Sequence, residues 1–175
     1  MYLQEGLCDS WGFQRYSLPE PRPVSGWQDV SGLTLRGALE ADWAQILALD
    51  LPAFGASREP LLRALAARLP EAALVATRGK EIRGYLFGRD GREARQLGPL
   101  VAADLPTAQA LLSHALGRVP APLYVDIVDR HTSLRGWALL QGFSVQRPFT
   151  RMVHGLARAP GDNETLMLVA GPELG

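Results

Sequence analysis

Residues 94–143 constrain the fold most strongly. Apolar patterning in this segment predicts strands over residues 94–102 and 123–128, alternating with amphipathic helices over residues 104–116 and 131–141. Strands that alternate with helices in this way form a right-handed parallel crossover, and ligands bind such units at the carboxyl ends of the strands. We therefore expect any active site to lie at that edge of the sheet.

A dipeptide inside the first of these strands, Gly98-Pro99, predicts that the parallel pair separates. Proline cannot donate a hydrogen bond to a strand ladder, and glycine within a strand often marks a bulge. We expect the two strands to splay apart and to leave a slot between residues 97–102 and 123–128. A narrow ligand can enter such a slot by hydrogen bonding to the strand edges.

The rest of the chain predicts two more helices and a set of antiparallel strands. Helical spacing of apolar residues indicates helices over residues 40–49 and 58–69, joined by a turn over residues 52–57 in which Ser57 caps the second helix. A glycine-containing turn predicts an antiparallel hairpin within residues 72–89. Further strands are predicted over residues 33–37, 143–153 and 165–170, and Gly142 is expected to end the last helix. The fold class is therefore α/β (α+β), a mixed sheet with antiparallel N-terminal strands, a splayed parallel pair and flanking helices.

Composition excludes several classes of partner. The 18 Lys and Arg residues balance 18 Asp and Glu residues and are dispersed, so neither nucleic acid nor an anionic membrane surface is predicted to bind. No apolar run approaches the roughly 18 residues of a membrane-spanning helix. The single cysteine, Cys8, precludes an internal disulfide and favours a reducing cytoplasm.

Residues 1–30 differ in character from the rest of the chain. They predict a short helix, then a strand around residues 12–16, and then a linker broken by several prolines. We interpret residues 1–30 as an N-terminal extension and linker, and residues 31–175 as the main domain. So short a segment cannot bury all of its own large apolar residues, which predicts a homodimer; the alternative is that the segment folds back as a lid on a monomer. These residues are Leu3, Leu7, Trp11, Phe13 and Trp27.

The element order and several short motifs resemble the GNAT superfamily of acyl-CoA N-acyltransferases. The motifs are Gln96-Leu97-Gly98-Pro99-Leu100-Val101-Ala102, Val125-Asp126, Gly142-Phe143, Arg151-Met152 and Ala170-Gly171-Pro172-Glu173-Leu174-Gly175. They are similar to the C-terminal GNAT-like domain of two-domain bacterial acetyltransferase-related proteins, over roughly residues 33–175. By that resemblance, residues 1–30 are interpreted as a remnant of a preceding GNAT domain.

The resemblance implies acetyl-CoA as a co-substrate and assigns it a site along the slot and the following helix. The residues so assigned are Leu97, Gly98, Pro99, Leu100, Val101, Thr107 and Ala108. The loop before that helix departs from the superfamily pattern for holding the pyrophosphate, because Ala103 and Pro106 stand where a basic residue and a glycine are expected, and Asp104 adds a carboxylate near the phosphates. The tyrosine that protonates the thiolate in many members is replaced by Ala138. Three remaining candidates for catalysis, each with a purely structural alternative, are Tyr124, Asp126 and His131.

Three arginines, Arg58, Arg89 and Arg151, are predicted to surround the acceptor end. A guanidinium group suits a carboxylate or phosphate, so the expected partner is a small-molecule amine or an anionic ligand; solvated surface arginines are the alternative. No metal site is predicted, because a fourth ligand is missing beside Asp126, Asp129 and His131. Two functions stay open: an N-acetyltransferase that transfers an acetyl group from acetyl-CoA to an amine of a small molecule, or a catalytically degenerate GNAT-like module that binds a ligand or pairs with another domain.

Overall fold

A computed structural model describes residues 6–20, 23–24 and 30–174, which form one eight-stranded sheet with helices on both faces. The strands are β1 (Leu7–Leu18), β2 (Thr34–Gly37), β3 (Leu74–Arg78), β4 (Glu81–Arg89), β5 (Arg95–Ala102), β6 (Leu123–Val128), β7 (Ser144–His154) and β8 (Leu166–Leu168). The helices are α1 (Trp43–Phe54), α2 (Glu59–Arg68), α3 (Leu105–Leu116) and α4 (Thr132–Leu140), with short 3-10 turns at Glu40–Asp42 and Pro70–Ala72. In this part of the chain no helix is long and apolar enough to span a bilayer.

The strand order in the sheet is β2-β3-β4-β5-β8-β6-β1-β7. Neighbouring strands are antiparallel, except that β5 and β6 pair in parallel where Arg95 to Leu97 lie opposite Leu123 to Val125. Beyond that short pairing, β8 lies between β5 and β6 and is antiparallel to both. The predicted mixed α/β fold, with antiparallel strands and flanking helices, is confirmed.

Alternation along the strands divides the core between the two faces of the sheet. In β4, Tyr85 and Phe87 join the apolar residues of α1 and α2, whereas Leu86 packs with those of α3 and α4. We call the first side the α1 face. By the same alternation, Arg15 lies on the α1 face because it is two residues from Phe13 in β1. Asp126 lies there too, because it is two residues from Val128 in β6.

The N-terminal strand β1 is part of the main sheet. It pairs antiparallel with β7 from Leu7 to Ser17 and with β6 from Phe13 to Leu18, so its second half has strand neighbours on both sides. This pairing replaces the predicted short helix over residues 7–11, while residues 1–5 lie outside the described residues. Phe13 is only 3% exposed, and Trp11 and Leu7 are half-buried. Residues 7–18 therefore belong to the same sheet as residues 31–174; Leu3 and Trp27 lie outside the described residues.

Helix α1 is longer than its apolar spacing predicted. It continues through Pro52 to Phe54 and ends at Gly55, whose φ of 90° is the left-handed conformation that glycine tolerates. The predicted turn therefore begins three residues later. Ser57 does not cap α2, because Arg58 occupies the position before the helix and no side chain caps it.

Candidate functional site

The gap between β5 and β6 holds the chain's own C-terminal strand. Leu168 of β8 lies opposite Leu100 of β5 and opposite Ile127 of β6. Just after β8, the Val169 N–H donates to the Asp126 carbonyl oxygen at 3.1 Å. These pairings use strand-edge groups that a ligand in the slot would need for its own hydrogen bonds.

The residues predicted to bind acetyl-CoA lie beneath this strand and in the adjoining core. A Cβ atom added to Gly98 would lie 2.2 Å from the Val169 carbonyl oxygen, so the close approach of the segment after β8 explains the glycine. All seven predicted positions are buried: Leu97, Gly98, Pro99, Leu100, Val101, Thr107 and Ala108. In this arrangement they offer a ligand no open surface.

The start of α3 is also unsuited to a pyrophosphate. The Asp104 carboxylate accepts a hydrogen bond from the Thr107 N–H at 2.8 Å, and Pro106 has no N–H to donate. Burial acts to raise the pKa of Asp104, but the hydrogen bonds from Thr107 outweigh it and hold the pKa below its usual value. A negative charge thus occupies the place that an anion would need. The slot and this helix start together do not fit acetyl-CoA.

His131 lies at the start of α4, beside a groove of about 300 Å³ between the beginnings of α3 and α4. Its Nε2 is 3.0 Å from the Asn163 carbonyl oxygen and 2.9 Å from that of Leu166, so Nε2 carries a proton and donates to both. Burial lowers the pKa of His131. The imidazole therefore anchors the segment that leads into β8, and His131 also occupies the position before α4, where the structural alternative expected a helix-start residue.

Tyr124 and Asp126 lie together around Arg15 on the α1 face. Asp126 is fully buried and accepts hydrogen bonds from Arg15 Nε at 2.8 Å and Nη2 at 2.9 Å. The Arg15 guanidinium also lies 4.9 Å from the centre of the Tyr124 ring and donates to Gln96 Oε1 at 3.2 Å. Burial opposes the charge on Arg15, but Asp126 outweighs it and raises the pKa of Arg15. Asp126 is thereby committed to an ion pair.

A polar cavity of about 220 Å³ opens beside this cluster, which we call the Arg15 cavity. Gln96 Nε2 is buried there and has no hydrogen-bond partner among the described residues. The Tyr124 hydroxyl lies 3.4 Å from a Glu93 carboxylate oxygen. Arg89 lines the same cavity and pairs with Glu173 of the C-terminal segment. The cavity is lined by Arg15, Arg89, Gly91, Arg92, Glu93, Ala94, Gln96 and Tyr124.

Arg58 is buried, which contradicts the alternative of a solvated side chain. Asp50 accepts hydrogen bonds from Arg58 Nε at 3.0 Å and Nη2 at 2.8 Å, and from the Tyr85 hydroxyl. Burial opposes the charge on Arg58, but Asp50 outweighs it and raises the pKa of the guanidinium; burial also raises the pKa of Tyr85. The sequence assigned Asp50 and Tyr85 no role, although a carboxylate on the apolar stripe of α1 is a signal that could have found this pair.

Arg151 lies beside Arg58, and Phe54 is the side chain that they share. The Arg58 and Arg151 guanidinium carbons are 4.0 Å and 4.8 Å from the centre of the Phe54 ring. Arg151 also lies 5.3 Å from the centre of the Trp11 ring. Burial, and then the charge of Arg58, lower the pKa of Arg151. Of the three predicted arginines, the structure thus groups Arg58 with Arg151, while Arg89 lines the Arg15 cavity.

The sequence profile of the acetyltransferase (GNAT) domain matches residues 46–168. The chain is also 24% identical over 143 residues to the uncharacterized N-acetyltransferase YitH of Bacillus subtilis (strain 168). That alignment covers 82% of this chain and 50% of YitH, so the chain spans about half the length of this relative.

Several solved structures of similar fold carry acetyltransferase names. One, assigned as an acetyltransferase from Pyrococcus horikoshii, superposes with a TM-score of 0.70 at 19% identity, over 99% of this chain and 55% of that one. A GCN5-related N-acetyltransferase from Sphaerobacter thermophilus gives a TM-score of 0.60 at 18% identity, over 94% of this chain and 57% of that one. At these identities the likeness is one of fold. Because the profile match extends over most of its length, the chain belongs to the GNAT acetyltransferase family.

Proposed function

We propose that this chain serves the transfer of an acetyl group from acetyl-CoA to an amine of a small molecule, and that it contributes the acceptor site. Membership of the GNAT family supports acetyl transfer. The observation that carries the acceptor role is the Arg15 cavity, a concave polar site lined in part by Gln96, whose buried Nε2 has no hydrogen-bond partner among the described residues. The β5/β6 slot, in contrast, is occupied by β8.

An acceptor amine would find suitable groups in this cavity. The Tyr124 hydroxyl and the Glu93 carboxylate both lie at its wall and can accept hydrogen bonds from an ammonium group. Tyr124 is also the predicted catalytic candidate that is partly accessible and lines this cavity, whereas Asp126 is committed to an ion pair and His131 lies at another groove. It is therefore our candidate for the group that contacts the reacting amine.

A second function is favoured by a specific observation. With β8 in the slot and Asp104 at the start of α3, the chain can be a GNAT-like module that binds a ligand or pairs with another domain without catalysis. The two functions differ in what they require of the ligand. An acceptor site requires a free amine, whereas a binding module does not.

Thermal-shift and calorimetric titrations with a panel of small amines, each paired with its N-acetylated form, test the proposal. We expect at least one amine to bind more tightly than its acetylated partner, and Gln96→Leu and Tyr124→Phe to weaken that binding. If each amine and its N-acetylated form bind with equal affinity, the acceptor role is refuted and the binding module is supported. Acetyl-CoA alone should give no saturable signal, and free thiol measured in the same mixtures reports whether the chain completes the transfer unaided.

A homodimer and a cytoplasmic location are also proposals. Leu7 and Trp11 are partly exposed and leave some apolar surface for an interface, but the buried Phe13 contributes little. Light scattering at micromolar concentrations tests the assembly. A mass of two chains is expected, and the mass of one chain at every concentration would rule the dimer out.

A further inference from the structure

Two guanidinium groups contact the Phe54 ring, and within the described residues Asp50 is the carboxylate that pairs with one of them. Arg58 is neutralised by Asp50, but Arg151 forms no ion pair within the described part of the chain. Two like charges that are partly or fully removed from water repel each other more strongly than they would in solvent. The region therefore carries an excess of positive charge that its own carboxylate does not balance.

The same two residues also have hydrogen-bond donors without partners. Arg58 Nη1 and Arg151 Nη1 are both buried, and neither has a hydrogen-bond partner among the described residues. The Arg58 side chain is 5% exposed, so water does not readily satisfy its free donor. A buried charged donor left unpaired is costly, and an anion placed between such groups removes that cost.

A groove of about 300 Å³ adjoins Arg151 on the α1 face. Phe13, Pro172 and Leu174 contribute apolar atoms to a lining of mixed character, and Phe13 stacks on Phe149. The remaining lining residues are Thr150 and Met152. A ligand that fills this groove can keep an apolar body in it while an acidic group meets the guanidinium.

We propose that this groove binds a small molecule in which a carboxylate or phosphate is attached to an apolar body, with the anionic group held by Arg151 beside Arg58. Arginine presents a planar fork that matches both acidic groups. The site is separate from the Arg15 cavity, and anion binding there does not depend on acetyl transfer. Failure of either proposal therefore leaves the other standing.

Calorimetric titration of the full chain with hexanoate, at constant ionic strength in chloride, tests the site. Hexanamide, which has the same apolar body without the charge, is the neutral control ligand. We expect saturable binding of hexanoate and not of hexanamide. Arg151→Gln should lower the affinity for hexanoate by about tenfold or more, since a hydrogen bond to a charged group is lost. Arg147→Gln is the matched control variant, because Arg147 is an exposed arginine of the same strand, and it should leave the affinity unchanged.

The Arg151→Gln variant should fold, because the substitution relieves repulsion with Arg58, and we expect its melting temperature to equal or exceed that of the parent. If it does not fold, Arg151→Lys retains the charge without the fork and should still weaken hexanoate. Absence of saturable hexanoate binding to the parent chain would overturn the proposal. Equal losses of hexanoate affinity in the Arg147 and Arg151 variants would also overturn the proposal, since they would indicate that hexanoate is attracted by the net charge of the protein alone.

Discussion

Replacement of Asp50 by asparagine should destabilise the fold strongly. Asp50 is 1% exposed and accepts hydrogen bonds from Arg58 and from the Tyr85 hydroxyl. Asparagine keeps the size and one oxygen of the side chain but leaves Arg58 as a buried charge without a counter-charge. Breaking a buried pair in this way costs about 3–5 kcal/mol. That is a large fraction of the roughly 5–15 kcal/mol by which a domain is stable.

Urea unfolding followed by tryptophan fluorescence measures this cost. With a denaturant slope of about 2 kcal/mol per molar, Asp50→Asn should lower the midpoint by roughly 1.5–2.5 M. Glu40→Gln is the control, because its ion pair with Arg63 is exposed to solvent and its loss should leave the urea midpoint nearly unchanged. In the double variant Asp50→Leu/Arg58→Met no charge remains unpaired, so it should be more stable than Asp50→Asn. A loss below about 1 kcal/mol for Asp50→Asn, or a double variant at least as unstable, would refute the reasoning.

Three further substitutions test other features. The hydrogen bond from Arg36 lowers the pKa of Asp42 in the folded chain. The Asp42 carboxylate therefore stabilises the fold fully above its unfolded pKa of 3.8, and this stabilisation is lost as the pH falls through its folded pKa. Asp42→Asn should flatten this acid dependence of the urea midpoint. Gly98→Ala should cost about 1–3 kcal/mol in thermal unfolding, because φ is +140° and the new methyl would meet the Val169 oxygen. His131→Ala should speed amide exchange in β8 but not in α2; unchanged exchange in β8 would show that the imidazole does not anchor it.

Elements that are specified by local patterns could be predicted from the sequence. The hairpin predicted within residues 72–89 is β3 and β4, because alternation and a glycine turn act over a few residues only. Gly142 has the left-handed φ of 92° expected of a helix terminator. These features depend on neighbours in the chain, so no knowledge of tertiary packing was needed.

Features that depend on partners distant in sequence could not be predicted. The apolar run at residues 165–170 indicated a strand, but periodicity does not say which strands it joins, so its place between β5 and β6 was missed. Gly98 was interpreted as a mark of an open slot, whereas it accommodates the backbone of Val169. The contact of Asp50 with Arg58 crosses the turn between two helices, and helical spacing alone does not fix that turn.

The placement of β6 between β8 and β1 has a consequence for how the chain is made. The hydrogen bonds between Arg15 of β1 and Asp126 of β6 join residues 111 positions apart, and β6 also pairs with β8 and, near its start, with β5. A nascent chain therefore carries β1 without its partner strands until β6 and β7 have been made, and β8 enters the sheet later than β5 and β6. Unpaired strand edges are templates for association with other chains. The order in which the strands are made, as well as the stability of the finished sheet, thus affects how long these edges stay exposed.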